Sequence, residues 1–161
     1  MQREWRWSLG FTFIELLITL AIIAVLASII YPMAEINRQR ERERELRTAL
    51  REIRAALDAY KQVGDEGRIL RNAGESGYPK SLQDLVLGVE NVKDPARRRL
   101  YFLRRIPRDP TFPDAAIPPH LTWGLRSYAS PPDKPAAGVD VFDIHSRSTG
   151  VGLNGVPYRE W

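Results

Sequence analysis

The strongest constraint on this chain is a run of 21 residues, Phe11 to Tyr31, in which Glu15 is the only charged side chain. As a helix the run would be roughly 31 Å long, at 1.5 Å per residue. That matches a bilayer hydrocarbon core of about 30 Å. A secretory signal peptide has a shorter apolar stretch and a small-residue cleavage site after it. Here the stretch is long and no such site follows cleanly, so it is expected to persist in the mature protein.

Two residues stand out against the run. Glu15 places a carboxylate near the start of a span, at a cost of about 2.5–3.5 kcal/mol on insertion scales. No Lys or Arg lies between Arg6 and Arg38 to neutralise it. Two readings stay open on the residues alone. Glu15 sits at the membrane interface, where an acid costs little, or it pairs with an α-amine, which would be close only if the chain began near residue 11. Pro32 follows the run and lacks the N–H that would bond back to residue 28, which predicts a kink or break there.

The run Gly10-Phe11-Thr12-Phe13-Ile14-Glu15, followed by the apolar stretch and Pro32, resembles the signal of type IV pilins and type II secretion pseudopilins. The resemblance implies a leader, residues 1–10, removed by an integral-membrane prepilin peptidase that cuts between Gly10 and Phe11. It also implies N-methylation of Phe11. It supplies the missing cation as well: the glutamate pairs with the N-terminal amine of a neighbouring subunit. A buried carboxylate left unpaired is costly, so such a pair favours correct register. The proline region is implied to melt locally on assembly.

The leader carries only Arg3 and Arg6, with Glu4, Trp5 and Trp7. Arg38, Arg40, Arg42, Arg44 and Arg47 lie just beyond the span, and the positive-inside rule would place that side in the cytoplasm. The resemblance places it in the periplasm, with the chain a single-pass protein of the bacterial inner membrane, and the expectation follows the resemblance.

Beyond the run, Leu46, Leu50, Ile53, Leu57 and Tyr60 recur at helical spacing and predict one apolar stripe. Residues 38–45 carry no stripe and read as a solvated segment laced by Arg–Glu pairs. Gly64 and Gly67 predict the helix end. The expected organisation is a leader at 1–10, a membrane and filament-core helix at 11–32, an amphipathic half-helix at 33–63 and a small periplasmic domain at 64–161.

In that domain, Ser81-Leu82-Gln83-Asp84 reads as a capping signal before a short helix. Asp94-Pro95 predicts a second helix reaching about Arg105. Five prolines in the stretch 107–122 predict an irregular loop there, and Trp123–Ala129 and Val139–His145 read as strands. The expected class is α+β and pilin-like: a long helix against short helices and a sheet of two to four antiparallel strands.

Four short segments resemble the major pseudopilin of type II secretion: Ala56-Leu57-Asp58-Ala59-Tyr60-Lys61, Gly77-Tyr78-Pro79, Ile106-Pro107-Arg108-Asp109-Pro110 and Phe142-Asp143-Ile144-His145-Ser146. The absence of cysteine agrees, since many type IV pilins close a C-terminal loop with a disulfide. The resemblance implies a filament that is a homopolymer with other pseudopilins beside it. It also implies an inner-membrane assembly platform and a cytoplasmic ATPase, acting in export of folded proteins across the outer membrane. Tip subunits often lack the glutamate, so Glu15 points to the filament body.

Major pseudopilins typically bind calcium through aspartates in the loop after the last strand. Here that stretch, residues 146–155, has no carboxylate, whereas calcium takes six to eight oxygens, usually several of them charged. The expectation is no calcium, no other metal and no cofactor, with Tyr158 or Trp161 pinning the loop by apolar packing. The net charge is +4, and without residues 1–10 there remain 22 basic and 19 acidic side chains. That excess is too small to argue for a nucleic-acid partner.

The rival readings are a type IV or competence pilin subunit serving adhesion or DNA uptake, and a membrane-anchored envelope enzyme using His145, Asp143 and Ser146 or Ser148. No nucleophile-elbow, P-loop or HExxH pattern supports the enzyme, and no catalytic residue is expected. Asp109, Asp114, Asp140 and Asp143 read as turn and surface residues.

Overall fold

The computed structural model describes residues 11–161, without the side chains of residues 29–32. The expectations for the leader, Gly10 included, therefore lie outside the described residues. Helix α1 runs Phe13–Asp65 as one element of 53 residues. It is not interrupted at Pro32, so the expected interruption is absent from the isolated chain, and the Pro32 side chain lies outside the described residues.

The start of α1 is a reciprocal cap. The Glu15 backbone N–H donates to Thr12 Oγ1 at 3.3 Å, and the Thr12 N–H donates to Glu15 Oε2 at 3.4 Å. This is the Thr-x-x-Glu capping box, which satisfies two donors that a helix N-terminus otherwise leaves open. The end is a glycine stop. Arg68 N–H donates to the Val63 carbonyl at 3.1 Å and Gly67 N–H to the Gly64 carbonyl at 2.9 Å. Gly67 has φ 68°, the left-handed conformation that such a stop needs and that a side chain opposes.

The compact C-terminal unit is Arg40–Trp161, and the preceding part of α1 belongs to a separate unit ending at Gln39. Within the C-terminal unit the predicted stripe is the core. Leu46, Leu50, Ile53 and Leu57 are buried, joined by Ala49 and Ala56. Leu82, Leu85, Leu103, Trp123, Val141, Ile144 and Tyr158 complete the cluster, with Tyr60 partly buried against it. Each large apolar side chain so buried contributes about 1.5–3 kcal/mol relative to exposure.

Short elements fill the rest. Helix α2, Asp84–Leu87, is a single turn whose N-cap is Gln83 with no side-chain cap, so only the Asp84 half of the expected Ser81 signal forms. The Ser81 N–H donates to Asp84 Oδ2 at 2.9 Å, and Leu85 is buried. The helix expected from Asp94 to Arg105 does not form. Its place is taken by a tight hairpin of β1, Val89–Glu90, and β2, Arg99–Leu100. Asp94 does cap, but it caps a turn: Oδ1 accepts from Ala96 N–H at 3.0 Å and Oδ2 from Arg98 Nε at 2.6 Å. Arg97 then takes φ 47°, which ends the helical path. A 3-10 turn occupies Pro119–Leu121. Strands β3, Trp123–Arg126, and β4, Asp143–Ser146, pair antiparallel with Trp123 opposite Ser146 and Arg126 opposite Asp143. Two small two-stranded sheets thus stand where one sheet was expected, and the class is α+β, a long N-terminal helix with a small C-terminal part.

Candidate functional site

The first candidate region is the helix start. Phe11 is exposed and precedes the cap, and the apolar side chains from Phe13 to Leu26 are exposed on every side of the helix. A helix that is apolar all round belongs in a membrane or among other helices. The segment is long and apolar enough to cross a membrane, and its most apolar part buries nothing inside the chain. Glu15 sits one turn from Phe11, with its carboxylate on the Thr12 N–H. Sequence reasoning singled out Glu15 and missed Thr12. The signal was present as a Thr three residues before a Glu at the head of an apolar run.

The second region is the C-terminal segment after β4. Two of its side-chain oxygens serve the loop's own turns. Ser148 Oγ accepts from Gly150 N–H at 3.2 Å, and Asn154 Oδ1 accepts from Val156 N–H at 3.1 Å. No carboxylate lies in residues 146–155, and no group of three or more His, Cys, Asp or Glu side chains among the described residues is placed to hold a metal. The donor set does not fit calcium.

Aromatic rings close over this loop. Tyr158 is buried, and its ring meets Trp161 edge-on with centroids 5.1 Å apart. Gly152 leaves room for the second ring, since a Cβ there would lie 2.5 Å from the Trp161 side chain. Residues of α1 hold the same segment. Arg54 Nε donates to Asp143 Oδ1 at 2.8 Å, and its terminal nitrogen to the Ile144 carbonyl and the Trp161 main-chain oxygen at 3.1 and 3.0 Å. Glu43 accepts from the Leu153 N–H at 2.7 Å.

Two of the acids read as surface residues are buried instead. Asp109 is 0% exposed and Asp140 is 7% exposed. Asp109 accepts from Ser146 Oγ and from the backbone N–H and hydroxyl of Thr111. Asp140 accepts from the hydroxyls of Ser76 and Ser127 and from the Tyr128 N–H. Burial pushes the Asp140 carboxyl up, but the hydrogen bonds from Ser127 and Ser76 outweigh it and hold it below the usual aspartate value. Spacing along the chain carries no trace of these partners, which join residues up to 64 positions apart.

His145, Asp143 and Ser146 are neighbours with separate partners. Ser146 is fully buried and gives its hydroxyl to Asp109. Asp143 is taken by Arg54 and by the Ile144 N–H. His145 Nδ1 lies 3.0 Å from the Ser146 carbonyl oxygen rather than its hydroxyl. The three do not form a nucleophile, base and orienting acid.

Comparison with known proteins bears on both regions. Residues 8–31 match the prokaryotic N-terminal methylation motif. The chain is similar to the type II secretion system core protein G of Vibrio cholerae, 27% identical over 143 residues, which cover 88% of this chain and 83% of that one. It is also similar to the core protein G of Dickeya chrysanthemi, 28% identical over 68% of this chain and 65% of that protein. For the Klebsiella pneumoniae protein of the same name the figures are 29%, 63% and 67%. No solved structure matches.

Proposed function

We infer that this chain is a type II secretion pseudopilin of the core protein G kind, a structural subunit that polymerises through its N-terminal helix. The observation that carries the reading is the methylation motif over residues 8–31, joined to a helix that begins at Phe13 and whose most apolar part buries nothing inside the chain. The similarity to core protein G over most of the chain supports the choice of system.

In this proposal the prepilin peptidase cuts between Gly10 and Phe11 and methylates Phe11. The new α-amine lies one residue before the Thr12 cap. Before assembly the Glu15 carboxylate is occupied by the Thr12 N–H of its own chain. On assembly it accepts from the protonated amine of a neighbouring subunit, so that a bond from an uncharged N–H gives way to an ion pair. That exchange rewards correct axial register, because an acid left in the apolar filament core without a partner is costly.

Pro32 removes one backbone hydrogen bond from α1, so the helix around it is the segment proposed to melt when subunits pack. The C-terminal unit stands in the periplasm, the chain is held in the inner membrane until assembly, and an inner-membrane platform with a cytoplasmic ATPase drives polymerisation. Other pseudopilins join the filament, which serves export of folded proteins across the outer membrane. The role is structural rather than catalytic, a reading supported by the separate engagement of Ser146, His145 and Asp143.

Intact-mass spectrometry of the protein from its native envelope tests the reading. A chain beginning at Phe11 with one added methyl is the expected result. A chain still beginning at Met1 in cells with an active prepilin peptidase would overturn it.

A further inference from the structure

One acid of the charged stretch 38–45 behaves unlike its neighbours. Glu41 and Glu45 are exposed, but Glu43 is 4% exposed. Its Oε1 accepts from the Leu153 N–H at 2.7 Å and from the Tyr158 hydroxyl at 3.2 Å. Its Oε2 lies 3.8 Å from the Arg47 guanidinium, and that guanidinium in turn lies 4.3 Å from the centre of the Trp161 ring. Glu43, Arg47 and Arg54 are separated by four and seven residues, which places all three on one face of α1. Arg54 binds Asp143 and the main-chain oxygens of Ile144 and Trp161.

We propose that Glu43, Arg47 and Arg54 form a metal-independent clasp that fastens the C-terminal segment, residues 143–161, to α1. At Glu43 the pattern is the inverse of a calcium loop, which supplies carboxylates and recruits a cation. There the loop supplies an N–H and an O–H donor and the helix supplies the carboxylate, while Arg54 of the helix meets Asp143 and two backbone oxygens of the segment. A buried acid persists only where donors compensate its lost hydration, and the donors that face Glu43 include the Leu153 N–H, the Tyr158 hydroxyl and the Arg47 guanidinium. The clasp therefore makes the order of the loop depend on the helix face at 43–54 and not on a dissolved ion. It goes beyond the secretion reading and does not depend on it.

The test uses the full chain in detergent, with thermal unfolding and limited trypsin digestion read in chelator and in millimolar calcium. The wild-type protein is expected to give the same melting curve and the same slow cleavage after Arg147 in both. With Glu43→Ala, cleavage after Arg147 should rise by about tenfold or more, since proteolysis follows the population of the open form. Glu43→Gln keeps an acceptor for the Leu153 N–H and should retain most of the protection. Arg54→Gln should also accelerate cleavage, and it serves if Glu43→Ala does not fold. A calcium-dependent rise in the wild-type melting midpoint would overturn the proposal. So would unchanged cleavage after Arg147 in the folded Glu43 and Arg54 variants.

Discussion

The imidazole of His145 occupies the space where a side chain at Gly124, its cross-strand partner, would stand: a Cβ at position 124 would sit 2.1 Å from His145 Cε1. The glycine is required by space, not by backbone angle. Gly124→Ala should therefore force the ring off its site and lower stability by about 1–3 kcal/mol, the usual cost of overpacking. The same change made in His145→Ala should cost much less, because the two residues are in contact and their effects do not add. Thermal melts of the two single variants and the double variant decide it.

Glu15 and Thr12 make a prediction about assembly. Glu15→Leu removes both the cap acceptor and the proposed partner of the neighbouring amine. It should abolish filament formation and secretion while leaving the protein in the membrane. Thr12→Val removes only the cap hydroxyl, worth about 1 kcal/mol, and should leave assembly measurable. Equal loss in both variants, scored by filament cross-linking and secretion of a native substrate, would place the function in the cap rather than in the carboxylate.

Ile53 is fully buried at the centre of the stripe. Ile53→Ala should cost about 2–5 kcal/mol through lost transfer energy and a residual cavity. Leu87 is 62% exposed, and Leu87→Ala should change stability by no more than about 0.5 kcal/mol. Chemical denaturation of the two variants side by side measures the contrast.

Asp140 predicts an acid limb. Its folded-state pKa is depressed by its hydrogen bonds. Its contribution is thus present in full above the ordinary aspartate value of about 3.9, and it is lost as pH falls through the folded value. Asp65, Glu75 and Asp94 are also lowered, chiefly by Lys61, Asn72 and Arg98 respectively; Asp65 and Glu75 are exposed and solvent screens them, and the Arg98 partner of Asp94 is itself exposed. Asp140→Asn should flatten the decline in melting midpoint below pH 4 and lower stability at neutral pH. An unchanged acid limb would show that other groups carry it.

Much of this architecture is written locally. The apolar run, Glu15, Pro32 and the 46–57 stripe are periodic or compositional features, and period and composition survive without a fold. The stop at Gly67 was legible for the same reason, since a left-handed residue after a helix favours glycine whatever surrounds it. The Asp94-Pro95 signal misled because a cap does not specify what it caps. Three residues on, Arg97 adopts a left-handed angle, and the pairing of β2 with β1 decides the path.

Glu43 shows where local reading stops. Stepping back three residues from Leu46 places it on the buried stripe, yet its charge argued for solvent. A loop 110 positions away in the chain brings that buried acid a hydrogen bond of 2.7 Å, beside the ion pair to Arg47. Asp109 and Asp140 repeat the point, buried among hydroxyls that the fold brings from distant segments. The membrane-length helix, its acid and its stop followed from side-chain chemistry along a few turns. Which acids are buried, and what satisfies them, was decided by tertiary packing, because a desolvated charge is stabilised only by partners that are close in space.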